Sequence, residues 1–401
     1  MKIMNIIERF LKYVSFDTTS CDETKVDAAS SPNQYELGKE LHKQLEALGG
    51  QEISMNKYGT VYGYFPGTLK GEPVALIAHM DTSNAAKGGN IKPRTVKNYD
   101  GKDIELSKGI TMKVSDFPAL TNSKGHDLIV TDGNTLLGAD DKAGIAIAMD
   151  VVNYFVTNNI PHKPIEVVFS TDEEVGVGAD HIEINKLHSK YGYTIDGGDI
   201  HYLCIENFNA ASMSVKITGR SIHPGSAKNK MINAINVGVE FQDALPEFMR
   251  PEDTEDYEGF YHIVGFNGNE EITNLKYIIR DFDLNKLREK IEYAKLVAER
   301  LNRKYGTKVI ELNIVETYTN MRAEIEKSPE IIGRVEKIYK EKGIDYAFFP
   351  IRGGTDGAVL TSRGFPCPNL GTGGANFHGR FEYLDVDQMK QMVEVIIELF
   401  K

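Results

Sequence analysis

At 401 residues the chain is long for a single hydrophobic core, which favours two domains. Its 41% hydrophobic and 26% charged content is that of an ordinary globular protein, and a formal net charge of -12 argues against nucleic acid or an anionic membrane as partner. Three dispersed cysteines, Cys21, Cys204 and Cys367, imply no disulfide framework and fit a reducing cytoplasm.

Residues 1–17 carry Ile3, Ile6, Ile7, Phe10, Leu11 and Val14 at helical spacing, interrupted by Glu8, Arg9 and Lys12. This pattern predicts an amphipathic helix packed on the domain, not a signal peptide. No apolar run approaches membrane-spanning length. A helix is expected over 34–48, then short strands near Ile53 and over 61–64, and a buried strand over 74–78. Residues 84–128 are polar, rich in Gly and Lys and weakly periodic, which suits a functional loop or an inserted subdomain. A helix over 142–158 leads to a strand over 165–169 and a further one ending at Asp196. Alternating helices and buried strands predict a parallel sheet sandwiched by helices.

The pattern changes after Asn209. Residues 212–219 alternate polar and apolar as in a half-exposed antiparallel strand. A helix over 233–245, strands over 260–266 and 272–282, a helix over 284–305 and a strand over 308–315 follow. That order, β-α-β-β-α-β, is ferredoxin-like. Helices over 329–343 and 387–401 return to the first pattern. The expected domains are 1–209 and 322–401 as one α/β body, interrupted by an α+β domain over 210–321.

Metal-liking side chains stand at five places where buried strands run out or helices begin. His79 follows the apolar run 74–78, and Glu173-Glu174 follows 165–169. Asp196 follows 193–195, Asp140-Asp141 opens a helix, and His378 lies in the Gly-rich stretch 371–379. Ligands collect at the carboxyl ends of parallel strands, so these groups are placed to converge. Two histidines with several carboxylates, and no cysteine among them, suit a hydrolytic two-metal centre better than a structural zinc. Asp81 stands two residues from His79 on the same side of an extended chain and is placed to fix its tautomer. Asp140 is assigned the bridge between two cations. Of Asp172-Glu173-Glu174, one Glu would ligate while its neighbour handles protons. The plain alternatives are a helix cap at 140–141 and a solvated acidic turn at 172–174. The Gly clusters at 353–357 and 371–374 fit neither P-loop nor dinucleotide spacing, and no G-x-S-x-G is present.

These segments together resemble the dinuclear zinc exopeptidase family that includes carboxypeptidase G, aminoacylases and succinyl-diaminopimelate desuccinylase. The resemblance spans essentially the whole chain and is closest to the tripeptide aminopeptidase type. It is carried by His79-Met80-Asp81-Thr82-Ser83, by residues 136–144, by Asp172-Glu173-Glu174-Val175-Gly176 and by Asp196-Gly197-Gly198. Residues 206–210, 223–228, 278–283 and 350–357 add the features particular to that type.

The resemblance implies a mixed sheet with an inserted ferredoxin-like lid, and two Zn2+ per subunit. His79 and Asp196 would bind one ion, Glu174 and His378 the other, with Asp140 bridging. Glu173 would be the general base, Asp81 would orient His79, and His223 would stabilise the oxyanion. Arg280 and Arg352 would bind the substrate carboxylate, and Asn207 is counted with the substrate residues. A cis peptide bond at Asp140-Asp141 is also implied. The lid would hinge at two crossings, near 210–211 and 319–322. The expected function is release of the N-terminal residue from short peptides, above all tripeptides, with a homodimer left open. The alternatives are a dipeptidase or N-acyl-amino-acid hydrolase with the same metals, and a non-catalytic metal- or peptide-binding protein.

Overall fold

A computed structural model describes residues 4–23 and 27–401. The chain divides into two compact units. The first comprises the chain up to Ile205 together with Ala323–Phe349 and Thr355–Lys401, and the second comprises Glu206–Arg322 with Pro350–Gly354. The borders thus fall at 206 and 322 where the sequence suggests 210 and 321. The short segment joins the second unit because the Ile351 N–H donates to the Glu206 carbonyl at 2.9 Å and the Phe208 N–H to the Ile351 carbonyl at 3.2 Å. The chain therefore crosses between units four times, after 205, 322, 349 and 354, and not twice.

The first unit is built on an eight-stranded mixed sheet. Its strand order is Gln51–Met55, Val61–Phe65, Ile165–Ser170, Val74–His79, Gly192–Thr194, Asn369–Leu370, Tyr202–Cys204 and Ala347–Phe348. The central strands Ile165–Ser170, Val74–His79, Gly192–Thr194 and Asn369–Leu370 run parallel, whereas Val61–Phe65 and Tyr202–Cys204 pair antiparallel beside them. Every residue of Val74–His79 and Ile165–Ser170 is buried, as a strand covered on both faces requires.

The helices cover this sheet with continuous apolar faces. Ile6–Val14 starts at a reciprocal cap, in which the Asn5 side chain accepts the Glu8 N–H and the Glu8 carboxylate accepts the Asn5 N–H. It buries Ile6, Phe10, Tyr13 and Val14 in the same core as the helix Ala139–Thr157. Ile3, which the sequence assigns to this helix, lies outside the described residues. Residues 84–128 form a subdomain and not a bare loop. The strands Arg94–Val96 and Leu128–Val130 join Tyr383–Asp385 and Gly374–Ala375 in a four-stranded antiparallel sheet, beside the hairpin Ile104–Ser107 and Ile110–Met112. Its core is Tyr99, Ile104, Leu106, Met112, Leu120, Leu128, Val130 and Tyr383. Weak periodicity conceals it because its strands are only three or four residues long.

The second unit has the ferredoxin-like order. Four antiparallel strands lie as Phe260–Gly268, Ile272–Asp281, Asn209–Thr218 and Ile310–Tyr318. The helices Ala234–Ala244 and Leu284–Tyr305 cover one face, where Ala211, Met213, Val215, Ile217, Leu275, Tyr277 and Ile279 form its core.

One glycine fixes the first unit's helix against its sheet. A Cβ on Gly144 would lie 1.9 Å from the Ile195 carbonyl oxygen and 2.6 Å from the Asp141 carboxylate. The Asp141 carboxylate is held in place by the His79 and Gly144 N–H groups, at 3.2 and 3.3 Å. Gly144→Ala is therefore expected to cost about 1–3 kcal/mol, the usual range for overpacking, or more. The shift in denaturant midpoint checks it, and an unchanged midpoint would mean that the helix slides freely on the strand.

Candidate metal centre

The parallel strands end in register, and their exits hold the acids and histidines. His79 pairs with Ser170, so the turn after Ser170 carries Glu173 and Glu174 beside the end of the His79 strand. Ile77 pairs with Thr194, which brings Asp196 to the same edge. The Ala139–Thr157 helix enters through Gly138 in a left-handed conformation (φ 80) with Asp140 and Asp141 off helical geometry, and the peptide bond between them is cis. His378 itself takes φ 60, a left-handed backbone, within the Gly-rich stretch.

The centre is a carboxylate shared between two imidazoles. Asp140 Oδ1 lies 3.0 Å from His79 Nε2, and Asp140 Oδ2 lies 3.2 Å from His378 Nε2. His378 Nε2 also stands 3.0 Å from Glu174 Oε2. Potential ligand atoms form two groups, His79-Asp140-Asp196 and Asp140-Glu174-His378, each with all its atoms within 4.8 Å of one another. Asp140 belongs to both and offers each a different oxygen.

A second ring of bonds holds these groups. His79 Nδ1 lies 3.3 Å from Asp81 Oδ1, and the two Asp81 oxygens accept the Glu173 and Glu174 amide N–H groups at 3.1 Å each. Asp81, fully buried, thus ties the histidine to the acidic turn. The His79 N–H donates to Asp141 Oδ2 at 3.2 Å. Asp172, first of the three acids, is committed elsewhere: it accepts the Ser30 N–H and the Gln34 amide, both at 2.7 Å, besides the Ser30 hydroxyl.

Charge crowding follows. Burial, then the charge of Asp140, pushes Asp196 up to about 7. Burial, with Asp196, Asp356 and Glu174 nearby, holds Glu173 well above the usual carboxylate range despite His79. Burial also raises Asp140, but hydrogen bonds from His378 and His79 outweigh it and hold that carboxyl below its usual range. Hydrogen bonds to Asp140 and Glu174 raise His378 to about 10. Glu174 Oε1 is buried with no hydrogen-bond partner. An acid-rich donor set with an unpartnered buried oxygen, and with both histidine Nε2 atoms turned to carboxylates, fits divalent cations.

Two residues at the site, Glu382 and Asp356, carry no role in the sequence reading, and a third, Asp141, is read there only as part of the Asp140-Asp141 helix start. Glu382, 2% exposed, accepts the Leu137, Gly138 and Asp140 N–H groups at 2.6, 2.8 and 3.0 Å and so fixes the turn that carries Asp140. Asp356 accepts the Ser170 hydroxyl at 2.5 Å, and burial pushes it up to about 6. Asp141 acts through backbone groups, as above. A third acid-histidine group, His126-Asp385-Asp387, is already used by the fold. Asp385 caps the last helix, and Asp387 accepts the Asp127 N–H at 2.8 Å.

The substrate residues expected from sequence all lie in the second unit. His223 is exposed, and its Nδ1 accepts the Gly225 N–H at 3.1 Å, so a neutral ring carries its proton on Nε2. Arg280 anchors Nη1 on the Ile279 carbonyl at 3.0 Å. Asn207 requires a correction. It is fully buried, its amide N–H groups donate to the Phe208 and Thr319 carbonyls at 2.7 and 3.3 Å, and its oxygen accepts the Met321 N–H at 2.9 Å. With both donors engaged, it stitches strand ends together and has none left for a ligand. Arg352 is similarly occupied. Nη1 donates to the Asp256 and Glu258 carbonyls at 2.6 and 3.0 Å, and Nη2 to Thr254 Oγ1 at 3.1 Å.

The sequence profile of the peptidase family M20/M25/M40 matches residues 130–401. The peptidase T of Caldanaerobacter subterraneus subsp. tengcongensis is 45% identical over 399 residues, covering 98% of this chain and 97% of the relative. The chain belongs to the M20/M25/M40 peptidase family. As a member it is a peptidase, and its full-length likeness is to the peptidase T enzymes. Its fold matches a tripeptidase from Staphylococcus aureus with a TM-score of 0.78, at 21% identity over 99% of this chain and 97% of that one. A Bacillus subtilis protein described as a dinuclear metal-binding peptidase of the M20 family shares the fold with a TM-score of 0.63, at 12% identity over 98% and 97% of the two chains.

Removal of Glu382 tests whether the Asp140 turn depends on it. Glu382→Ala leaves three buried N–H groups without acceptors, each worth about 1–3 kcal/mol, so a loss of roughly 3 kcal/mol or more is expected. Chemical denaturation checks it. A loss below about 1 kcal/mol would mean that water takes over those amides.

Proposed function

We propose that this chain is a two-zinc aminopeptidase of a reducing, cytoplasmic compartment that releases the N-terminal residue of short peptides, tripeptides above all. The observation that carries the reading is the division of Asp140, one oxygen to the His79 group and the other to the His378 group. Likeness to peptidase T enzymes over nearly the whole chain supports the substrate class.

His79 and Asp196 would hold one ion, Glu174 and His378 the other, with Asp140 between them. Bound zinc supplies Lewis acidity, polarising the scissile carbonyl and bringing water to a nucleophilic state near neutral pH. Glu173, whose Oε2 stands 4.0 Å from His79 Nε2, takes a proton from the attacking water and delivers it to the leaving amine. Asp81 keeps the His79 ring oriented through Nδ1 and sets the Glu173 backbone through its amide. His223 donates its Nε2 proton to the oxyanion, as its observed acceptor contact at Nδ1 favours. Arg280 binds the substrate's terminal carboxylate, a role that Arg352, with both terminal nitrogens engaged, is less free to fill.

Turnover of a matched di-, tri- and tetrapeptide set, with and without added zinc, tests the proposal. The tripeptide is expected to lead by kcat/KM and chelation to abolish activity. A preference for N-acyl amino acids or dipeptides would overturn the assignment. Glu173→Ala should lower kcat by about 10²–10⁴ with both metals retained, because its role is proton transfer. Glu174→Ala should lose metal, read by elemental analysis, and equal loss in both variants would refute their division of roles. His223→Ala should lower kcat by about 10²–10³ with metal content unchanged, as loss of an oxyanion donor does.

A further inference from the structure

The sheet of the second unit sets Arg280 and Tyr318 on either side of one small residue. Ala210, in the Asn209–Thr218 strand, pairs with Arg280 on one neighbouring strand and with Tyr318 on the other. Ala210 and Arg280, directly paired in antiparallel strands, project to the same face; on the Tyr318 side the register slips between Ala210 and Ala211, and it is the contact of its ring with Arg280 that sets Tyr318 beside them. The face of Ala210 and Arg280 is the one opposite the helices, because the adjoining Ala211 and Ile279 belong to the helix-covered core. Between two long side chains Ala210 contributes only a methyl, and it is fully buried. Across that gap the Arg280 guanidinium reaches the Tyr318 ring, with Cζ 5.4 Å from its centroid. That distance is within the range of a cation–π contact.

A second, independent contact fixes the ring. Gly354 lies against it so closely that a Cβ there would stand 2.7 Å from Cζ and 2.8 Å from both Cε1 and Oη. Gly354 belongs to the short segment Pro350–Gly354 that the second unit acquires through Ile351. Gly353-Gly354, which fits no phosphate-loop pattern, has here a physical reason. A side chain at 354 would drive the tyrosine ring from its seat. The guanidinium is thus held on two sides, by the Ile279 and Ala211 carbonyls, which accept from Nη1 at 3.0 and 3.4 Å, and by the Tyr318 ring across the gap.

We propose that Tyr318, seated on Gly354, is the positioning residue that sets the Arg280 guanidinium for the substrate's terminal carboxylate. The proposal rests on the reading of Arg280 as the carboxylate binder. An arginine on a β-strand has four flexible torsions, and bidentate capture of a carboxylate needs its plane fixed beforehand. The tyrosine face supplies that plane, and with Nη1 taken up by the Ile279 and Ala211 carbonyls it is the Nε–Nη2 edge that is left for a ligand.

The test is the ratio of kcat/KM for a tripeptide to that for its C-terminal amide, measured in the zinc-loaded enzyme and four variants. Tyr318→Leu and Gly354→Ala should each lower the ratio by about 5- to 30-fold through KM for the free acid, the span expected for loss of a partly desolvated cation–π contact. Tyr318→Phe, which keeps the ring, should hold the ratio within about twofold of wild type, since the quadrupole and not the hydroxyl is needed. Arg280→Ala should remove the preference for the free acid. If Arg280→Ala leaves the ratio intact, the carboxylate reading of Arg280 fails and this proposal with it. If Arg280→Ala lowers the ratio while Tyr318→Leu and Gly354→Ala, each folded by circular dichroism, leave it unchanged, Tyr318 alone is refuted. A loss in Tyr318→Phe as large as in Tyr318→Leu would also overturn it, by assigning the effect to the hydroxyl. Should Tyr318→Leu not fold, Gly354→Ala carries the same comparison.

Discussion

Negative charge gathered at the ends of buried strands is the constraint around which the first unit is arranged. Asp81, Asp140, Glu173, Glu174, Asp196 and Asp356 lie together with His79 and His378 among them as counter-charge, and several of the carboxyls are pushed up by burial and by one another. A protein interior does not tolerate such a group without compensation, because each uncompensated buried charge costs several kcal/mol. His79 and His378, each within hydrogen-bond distance of Asp140, supply part of it. The shared position of Asp140, and the unpartnered Glu174 Oε1, mark where cations would supply the rest.

The surrounding fold holds these groups close against their mutual repulsion. Three devices do so, each acting on the backbone. Asp81 receives the amides of the acidic turn, Glu382 receives those of the turn before Asp140, and Gly144 lets the helix touch the strand exit at Ile195. Carboxylates accepting main-chain N–H groups make strong charge-assisted bonds, and they position a turn with little freedom left. Asp172 does the same for its own turn through Ser30 and Gln34.

What could be read in the sequence separates along a physical line. Strand ends are legible because a fully apolar run followed by a polar residue marks where the chain leaves the sheet, and the parallel arrangement then dictates that such ends gather. His79, Glu173, Glu174 and Asp196 were reachable in that way. The ferredoxin-like order was reachable from its alternation and two long helices. Glu382 was not, because it acts on amides about 245 residues earlier and amides carry no sequence signal. The 84–128 subdomain was hidden by strands too short to show a period. The place of Pro350–Gly354 was hidden because a five-residue segment changes units through two backbone hydrogen bonds.

Asn207 and Arg352 show why a polar residue in a recognisable segment need not face a ligand. Both have the donors that a substrate would use, and in both those donors already meet carbonyls of the second unit. Arg352 also lies over the Phe208 ring, with Cζ 5.1 Å from the centroid, so its stem and its charge are both used in holding residues 254–258. To capture a carboxylate it would have to release up to three carbonyls and a hydroxyl, each with a desolvation cost to be recovered from the ligand. Arg280 differs in that, among the described residues, oxygen acceptors meet only its Nη1, at the Ile279 and Ala211 carbonyls, while the Tyr318 ring attracts the cation without using an N–H. Donors facing a π surface remain available, and donors facing oxygen do not. Of the two arginines, Arg280 is therefore the one whose geometry leaves a bidentate edge for a substrate carboxylate.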